Sequence, residues 1–196
     1  MTSKRLSCTE CLRPVSNCYC DQLRPTMIEN HVLIIRHVKE REHPFNTALM
    51  AKLQINNLIL LDSDNPHFKS IIIDFIEKYK PILIFKNNHS KEIEELEKNR
   101  KQNLILLDGT WDKARSLLLG NQELLGSLPT YHFSEGDTPK TIYKSVRKAC
   151  AEEALSTLEA LVYSLEYLNG ESYESLLAPL SKVVEEQKKW ASKDPS

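Results

Sequence analysis

The sequence predicts an α/β protein that has a mostly parallel β-sheet, flanking helices and a small N-terminal zinc knuckle. Four short apolar runs, each about the length of a buried strand, alternate with amphipathic stretches, which is the pattern of a parallel sheet with crossover helices. Ahead of the first run lies a polar segment that holds four of the five cysteines. We therefore expect a zinc-binding head at residues 1–30 and an α/β domain at residues 31–196.

The predicted strands are continuously apolar instead of alternating apolar and polar residues. This favours strands whose two faces are both covered by helices. They are rich in leucine and in β-branched residues, as buried strands are. We expect them at residues 32–35, 58–61, 82–85 and 104–107.

An amphipathic stretch follows each predicted strand, and two more such stretches end the chain. Pro66 and Ser90 stand where two of the helices would begin, since both residue types are common at a helix N-terminus. Gly170 separates the last two helices. We expect helices near residues 46–54, 66–79, 90–101, 111–119, 149–168 and 172–190, and a polar loop near residues 129–141.

The charge of the chain is balanced in total but unevenly distributed. The 26 Lys and Arg residues stand against 27 Asp and Glu, and the net charge of -1 argues against a polybasic binder. Residues 1–60 carry +3 and residues 140–151 carry +4, whereas residues 152–196 carry -5. The near-zero total is therefore a cancellation, and it is compatible with local basic surfaces that bind an anionic partner.

Several classes of protein are excluded by missing patterns. The chain has five glycines, and neither the dinucleotide-binding motif nor the P-loop motif occurs. Residues 1–7 hold no apolar stretch of the kind found in signal peptides, and no apolar run reaches the length of a membrane span. We expect a cytoplasmic protein that does not contact a membrane.

The cysteines near the N-terminus form two close pairs. In a cytoplasmic chain, a Cys-x-x-Cys pair followed by a Cys-x-Cys pair favours a metal over disulfides, and Zn²⁺ accepts four thiolates in a tetrahedral arrangement. The segment has few apolar residues, so a metal would supply the free energy that orders it. An oxidised or metal-free head is the alternative, and Cys150 is predicted to be a buried bystander. The predicted ligands of a structural zinc are Cys8, Cys11, Cys18 and Cys20.

The clearest candidate for a functional site follows the fourth predicted strand. Asp108 places a carboxylate at the carboxyl end of that strand, and Gly109, Thr110 and Trp111 lead into a helix. Open α/β sheets bind their ligands at this edge. The purely structural alternative is that Gly109 permits the turn, Thr110 caps the helix and Trp111 packs.

Other polar residues each allow a functional and a structural interpretation. His37 ends the first predicted strand, where it either binds a ligand or forms a structural hydrogen bond. Asn46 precedes a predicted helix and would cap it. Ser156 and Glu159 have the spacing of a capping box, but residues 151–155 are already predicted to be helical, which favours a kink or a ligand-binding turn. An acid-free basic stretch favours contact with phosphate over a solvated face; it contains Lys140, Lys144, Arg147 and Lys148.

Taken together and in this order, the motifs resemble the DTW-domain family of tRNA-uridine aminocarboxypropyltransferases, which is related to the SPOUT class. The cysteine head and residues 108–111 carry the first part of the resemblance. The motifs extend from residue 8 to residue 160, which is most of the chain. The other segments that resemble the family are His37-x-x-Glu40, Asn46-Thr47-Ala48, Arg147 and Ser156-Thr157-Leu158-Glu159-Ala160.

The resemblance implies an enzyme that uses S-adenosylmethionine as donor. It would transfer the 3-amino-3-carboxypropyl group to ring nitrogen 3 of a uridine in tRNA and leave methylthioadenosine. Asp108 is then the candidate general base, with Thr110 and Trp111 beside it in the catalytic site, where Trp111 would stack on a base or form a wall of the donor pocket. The donor would be bound by Leu107, Gly109, Ser156, Thr157 and Glu159. The RNA would be bound by the N-terminal head and by His37, Arg41, Asn46, Arg115, Lys140, Lys144, Arg147 and Lys148. For Arg115 and Arg147, the donor carboxylate is the alternative partner.

The resemblance also implies a SPOUT-like catalytic domain with a knotted carboxyl-terminal region, which sequence physics alone would not propose. Two other functions are compatible with the same residues. A SPOUT-type RNA methyltransferase would use the same donor and transfer its methyl group. A non-catalytic zinc RNA-binding module would bind RNA without needing Asp108. Within the transferase interpretation, ribosomal RNA is an alternative acceptor.

Overall fold

A six-stranded parallel sheet forms the centre of the protein. The structure is a computed structural model that describes residues 6–43, 45–98, 101–134, 141–142 and 155–191. The strands are β1 (Val32–Arg36), β2 (Leu58–Asp62), β3 (Ile82–Ile84), β4 (Lys91–Glu92), β5 (Leu104–Asp108) and β6 (Thr130–His132). Their order is β2-β1-β5-β3-β6-β4, and every neighbouring pair is parallel. The predicted fold class is confirmed.

Helices cover both faces of this sheet. They are α1 (Thr47–Lys52), α2 (Phe68–Tyr79), α3 (Trp111–Gly120), α4 (Gln122–Leu125), α5 (Thr157–Asn169) and α6 (Ala178–Ala191). Val32 and Ile34 lie in a core with α1, α5 and α6, whereas Leu33 and Ile35 lie in a core with α2, α3 and α4. Burial on both faces explains the continuously apolar strands. Within the described ranges, no helix is long and apolar enough to cross a membrane.

The two strands at one edge of the sheet differ from the prediction. In place of the helix predicted near residues 90–101, the described residues form β4 and a 3₁₀ turn, Ile93–Glu95. In place of part of the polar loop predicted near residues 129–141, β6 pairs with β3 and β4. Both strands are short and polar, so they are defined by backbone hydrogen bonds that an apolar pattern does not reveal.

The last two helices also differ from the prediction. α5 begins at Thr157 and ends at Asn169, and the next residue, Gly170, closes the helix with a positive φ of 70°. The helix predicted at residues 172–190 is divided into a 3₁₀ turn, Glu174–Leu177, and α6. Residues 149–154, where the predicted helix near 149–168 begins, lie outside the described ranges. The knotted region stays a prediction.

The N-terminal cysteine segment packs against α6. Lys182 donates hydrogen bonds to the backbone oxygen of Cys18 at 2.8 Å and to the Asp21 carboxylate at 2.7 Å. Cys11 and Tyr19 are buried in the same apolar core as α5 and α6. The segment is thereby fixed to the α/β part, and the boundary predicted at residue 30 stays a prediction.

Candidate active site and metal centre

Three neighbouring strands end in a row of charged side chains at the carboxyl edge of the sheet. Asp62, Arg36 and Asp108 are the last residues of β2, β1 and β5, and the strand register places Arg36 opposite both carboxylates. By the alternation of the strands they lie on the same face as Ile34 and Leu106, which α1 and α5 cover. A carboxylate, a guanidinium and a second carboxylate thus lie side by side at the edge where open α/β sheets bind ligands.

The Asp108 carboxylate is buried, and a hydrogen bond reaches only one of its two oxygens among the described residues. Its side chain accepts a hydrogen bond at Oδ1 from the hydroxyl of Thr157 at 2.5 Å, and only 7% of the residue is exposed. Burial raises the pKa of Asp108 to about 6, and the hydrogen bond from Thr157 opposes this shift. Among the described residues, no side chain or N–H donates to Oδ2. A carboxylate with this pKa and one open oxygen is able to take a proton near neutral pH.

Gly109 is required by the backbone that follows Asp108. Its φ is +156°, which lies in the region that favours glycine. A Cβ at this position would lie 3.0 Å from the Cβ of Lys113, so a side chain here would require Lys113 to shift. On the other side, the N–H of His37 donates to the Asp108 carbonyl at 3.0 Å. The turn is therefore fixed from both sides.

The N-terminus of α5 presents Thr157 to Asp108 through a complete capping box. The Ser156 hydroxyl accepts from the N–H of Glu159 at 3.3 Å, and the Glu159 carboxylate accepts from the N–H of Ser156 at 2.8 Å. The capping box that the spacing of Ser156 and Glu159 predicts is therefore formed, and the ligand-binding turn at this position stays a prediction. Glu159 is fully buried, and it also accepts from Thr141 at 3.0 Å and from the N–H of Ile142 at 2.7 Å. Both of its oxygens bind the protein, so it positions the residues around it.

Arg36 connects the strand ends to the loop that follows β1. It donates two hydrogen bonds to Asp62, at 2.6 and 3.1 Å, and a third to Oδ1 of Asn46 at 3.1 Å. Arg41 donates to the same Asp62 carboxylate at 3.0 Å. Burial alone would raise the pKa of Asp62, but the two guanidinium groups outweigh it and hold the pKa below its usual range.

Three residues predicted to bind RNA serve the local structure of this loop. The His37 Nδ1 accepts from the N–H of Lys39 at 3.2 Å, and Arg41 pairs with Asp64 as well as with Asp62. Asn46 caps α1, as the structural interpretation predicted, by accepting from the N–H of Leu49 at 3.0 Å. The other predicted RNA contacts are Arg115, which is exposed on α3, and Lys140, Lys144, Arg147 and Lys148, which lie outside the described ranges.

The residues predicted to bind the donor are only partly brought together. Asp108, Gly109, Ser156 and Thr157 line one small cavity of about 50 Å³ beside Asn46. The Leu107 side chain instead packs on the opposite face of the sheet, in the core with α2 and α3. Thr110 occupies the N-cap position of α3 without a side-chain capping bond. Trp111 is 55% exposed and lies outside this cavity, with its ring stacked on Phe85.

The sequence did not identify Arg36 and Asp62 as residues of the site, nor Lys113 as the partner of Glu40. Glu40 forms an ion pair with Lys113 at 2.5 Å, and its negative charge contributes to the raised pKa of Asp108. The signal for Arg36 and Asp62 was present, because each is a charged residue directly after an apolar run. What the sequence does not contain is the register that places these two side chains beside Asp108.

The four N-terminal thiols form a cluster of the size that a zinc ion requires. All four Sγ atoms lie within 4.8 Å of one another, with 3.7 Å between Cys8 and Cys20 and 3.6 Å between Cys11 and Cys18. Tetrahedral Zn–S bonds of about 2.3 Å give S–S edges of about 3.8 Å. The backbone N–H groups of Cys11 and Glu10 lower the pKa of the Cys8 thiol to about 6, whereas burial raises the pKa of the Cys11 and Cys20 thiols. The cluster fits a closed four-thiolate zinc site.

Comparison with known proteins agrees with this arrangement of residues. The DTW domain matches residues 5–188, a range that contains the cysteine cluster and the row of strand ends. The tRNA-uridine aminocarboxypropyltransferase 2 of Drosophila melanogaster is 24% identical over 195 residues, covering 94% of this chain and 76% of that protein. No solved structure matches the chain. Because the DTW domain extends over nearly the whole sequence, the protein belongs to the DTW domain family.

Proposed function

We propose that the protein transfers the 3-amino-3-carboxypropyl group of S-adenosylmethionine to ring nitrogen 3 of a uridine in tRNA. The products would be 3-(3-amino-3-carboxypropyl)uridine and methylthioadenosine. Membership of the DTW domain family and the name of the Drosophila relative support this class of reaction. The observation that carries the proposal is the buried Asp108 carboxylate, whose pKa of about 6 suits a general base. A tRNA substrate also agrees with the cytoplasmic location that the sequence predicts.

Asp108 takes the proton of the uridine ring nitrogen in this mechanism. Thr157 holds Oδ1 at 2.5 Å, which leaves Oδ2 to face the acceptor. When bound, S-adenosylmethionine supplies a sulfonium with an electrophilic γ-carbon, and the new N–C bond forms as the C–S bond breaks with its electron pair left on the sulfur. The protein therefore has to remove one proton and to align the two reacting atoms.

The cavity beside Asp108 fits one end of the donor. It encloses about 50 Å³, whereas pockets for whole small-molecule ligands usually measure about 300–1,000 Å³. Its lining is mainly polar and includes Thr157, Gly109 and Asn46. These groups suit the ammonium and carboxylate of a methionine chain. We assign Gly109, Ser156 and Thr157 to that end of the donor, and Glu159 to positioning them.

The charges around Asp108 keep its carboxylate reactive. The Arg36 guanidinium favours the ionised form of Asp108, whereas Glu40 and Asp62 disfavour it. Each of these three neighbours is itself engaged in an ion pair, Arg36 with Asp62 and Glu40 with Lys113. The pairs fix the charges in place, so that they need little rearrangement during the reaction.

The cysteine cluster has a structural role in the proposal. Cys8, Cys11, Cys18 and Cys20 would hold one Zn²⁺, and a closed set of four thiolates leaves no position at which the metal binds substrate. The metal would order the segment that packs on α6. We propose that this head and the basic residues Lys140, Lys144, Arg147 and Lys148 contact the phosphates of the tRNA.

Nucleoside mass spectrometry tests the proposed reaction. The purified protein is incubated with tRNA and S-adenosylmethionine, and we expect aminocarboxypropyl-uridine together with methylthioadenosine. Asp108→Ala should abolish the product, while Asp112→Asn, which changes an exposed carboxylate on α3, should leave it intact. S-adenosylhomocysteine as the second product would identify a methyltransferase instead. No modified uridine with any tRNA would refute the proposal.

A further inference from the structure

A second, larger cavity is lined by Trp111, which follows Asp108 by three residues. It has a volume of about 600 Å³ and is enclosed by the segment after β3, by α3 and α4, and by the start of β6. Its size is in the range of sites that bind small molecules or single nucleotides. Among the described residues, none lines both this cavity and the small cavity at Asp108.

The cavity has an exposed aromatic ring in its wall. Trp111 is 55% exposed, and one face of its ring is stacked on Phe85, with 4.9 Å between the ring centres and an angle of 8° between the planes. Phe85 thus supports the indole in a fixed orientation. Flat, supported aromatic rings are the surfaces on which single-stranded nucleic acids stack their bases.

The charged part of the described lining is basic. Lys86, His89, Lys91 and Arg115 line the cavity, whereas no Asp or Glu of the described ranges does. Within the described residues, neither Lys91 nor Arg115 forms an ion pair or a side-chain hydrogen bond, while Arg36, Arg41 and Lys113 at the strand ends are all paired. Unpaired cations around an aromatic ring are the combination that binds a base and its phosphate.

We propose that this cavity binds the nucleotide adjacent to the target uridine in single-stranded RNA, with its base on Trp111 and its phosphate between Lys91 and Arg115. The inference rests on the proposed function, because it assumes that the target uridine lies at Asp108. The segment Asp108–Trp111 contributes to both cavities, since Asp108 and Gly109 line the small one and Trp111 lines the larger one. S-adenosylmethionine carries no phosphate and would leave the cations unused. An unpaired RNA segment uses both the ring and the cations.

Tryptophan fluorescence tests base stacking directly. The chain has two tryptophans, so Trp190→Phe leaves Trp111 as the single reporter. We expect a uridine-rich RNA oligonucleotide and tRNA to quench this emission in a saturable way, and S-adenosylmethionine or methylthioadenosine alone to leave it nearly unchanged. Quenching by the donor but not by RNA would assign the cavity to the donor and overturn the proposal. The absence of quenching by RNA would overturn it as well.

A charge variant tests whether these two cations bind phosphate. In the Trp190→Phe protein, the pair Lys91→Gln and Arg115→Gln should raise the Kd for the oligonucleotide about tenfold. It should also reduce the slope of log K against log salt by about 0.7 for each phosphate that the variant no longer neutralises. The matched control is Lys78→Gln with Lys98→Gln, two lysines that lie against tyrosine rings away from the cavity. Equal effects of the two pairs would show general electrostatics and no phosphate site.

These readouts separate the inference from the proposed reaction. Binding and quenching do not require transfer, so quenching without aminocarboxypropyl-uridine would refute the reaction alone. Product formation with no quenching, or with a Kd unchanged by the charge variant, would refute the nucleotide site alone.

Discussion

The hydroxyl of Thr157 donates to Oδ1 of Asp108 at 2.5 Å, and this contact joins the N-terminus of α5 to the end of β5. The two residues are 49 positions apart in the chain. Asp108 is the better buried partner, and its hydrogen bond to Thr157 is the main local interaction that favours its ionised form. The ionisation of the candidate base therefore depends on a helix N-terminus that a capping box holds in place.

The pH dependence of the reaction should show the raised pKa of Asp108. A general base has to be ionised, and burial raises the pKa of this carboxyl to about 6. On the acidic side of the profile, we expect kcat/KM to fall about tenfold for each pH unit below about 6. Above about pH 6, kcat/KM should reach a plateau. The measurement is the initial rate with subsaturating tRNA between pH 5 and pH 8. A rate that stays constant down to pH 5 would exclude Asp108 as the base.

Replacing the Thr157 hydroxyl should move that pH profile. The hydrogen bond from Thr157 lowers the pKa of Asp108, so Thr157→Val removes a stabiliser of the carboxylate and should shift the acidic limb to higher pH. We expect a loss of about tenfold in kcat/KM at pH 6.5 and a smaller loss at pH 8.5. Thr157→Ser keeps the hydroxyl and should restore the position of the limb. A shifted limb in Thr157→Ser together with an unshifted limb in Thr157→Val would show that the methyl group, and hence packing, is what matters.

The sequence contains enough information to predict the centre of this fold and the position of Asp108. The continuous apolar runs in β1, β2, β3 and β5 are enough to predict these strands, and an acid at the end of β5 marks the ligand-binding edge. β4 and β6 are short and polar, and only their backbone pairing defines them. The contacts of Arg36 with Asp62 and of Asp108 with Thr157 depend on register and on helix placement. No local sequence pattern predicts these three-dimensional contacts.

The burial of Asp108 should cost folding stability that an asparagine recovers. Because the pKa in the folded protein, about 6, exceeds the usual value of 3.8, the folded state holds the proton more tightly than the unfolded state. The free energy of unfolding contributed by this group therefore falls as pH rises from about 4 to about 6. Asp108→Asn cannot ionise, so it should be more stable than the wild type by about 1–3 kcal/mol at pH 7.5.

Denaturant unfolding at two pH values checks this gain. At pH 4 the advantage of Asp108→Asn should nearly vanish, because the folded wild type is then protonated at Asp108. The matched variant Asp112→Asn removes an exposed carboxylate and should change the free energy of unfolding by less than about 0.5 kcal/mol. A destabilised Asp108→Asn protein at pH 7.5 would show that the ionised carboxylate contributes more through its contacts than burial costs.

Removal of the metal should loosen the packing of the cysteine segment on α6. Cys11 and Leu12 line the same cavity as Trp190, so the emission of Trp190 reports on this packing. In a Trp111→Phe protein we expect chelation to shift that emission and to lower the free energy of unfolding, since the segment has few apolar residues to hold it.

Atomic absorption should find one zinc per chain under reducing conditions. Cys11→Ser should lose the metal, whereas Cys150→Ser should keep it. A full complement of zinc in Cys11→Ser, or an unchanged emission after chelation, would contradict a structural zinc at these four thiols.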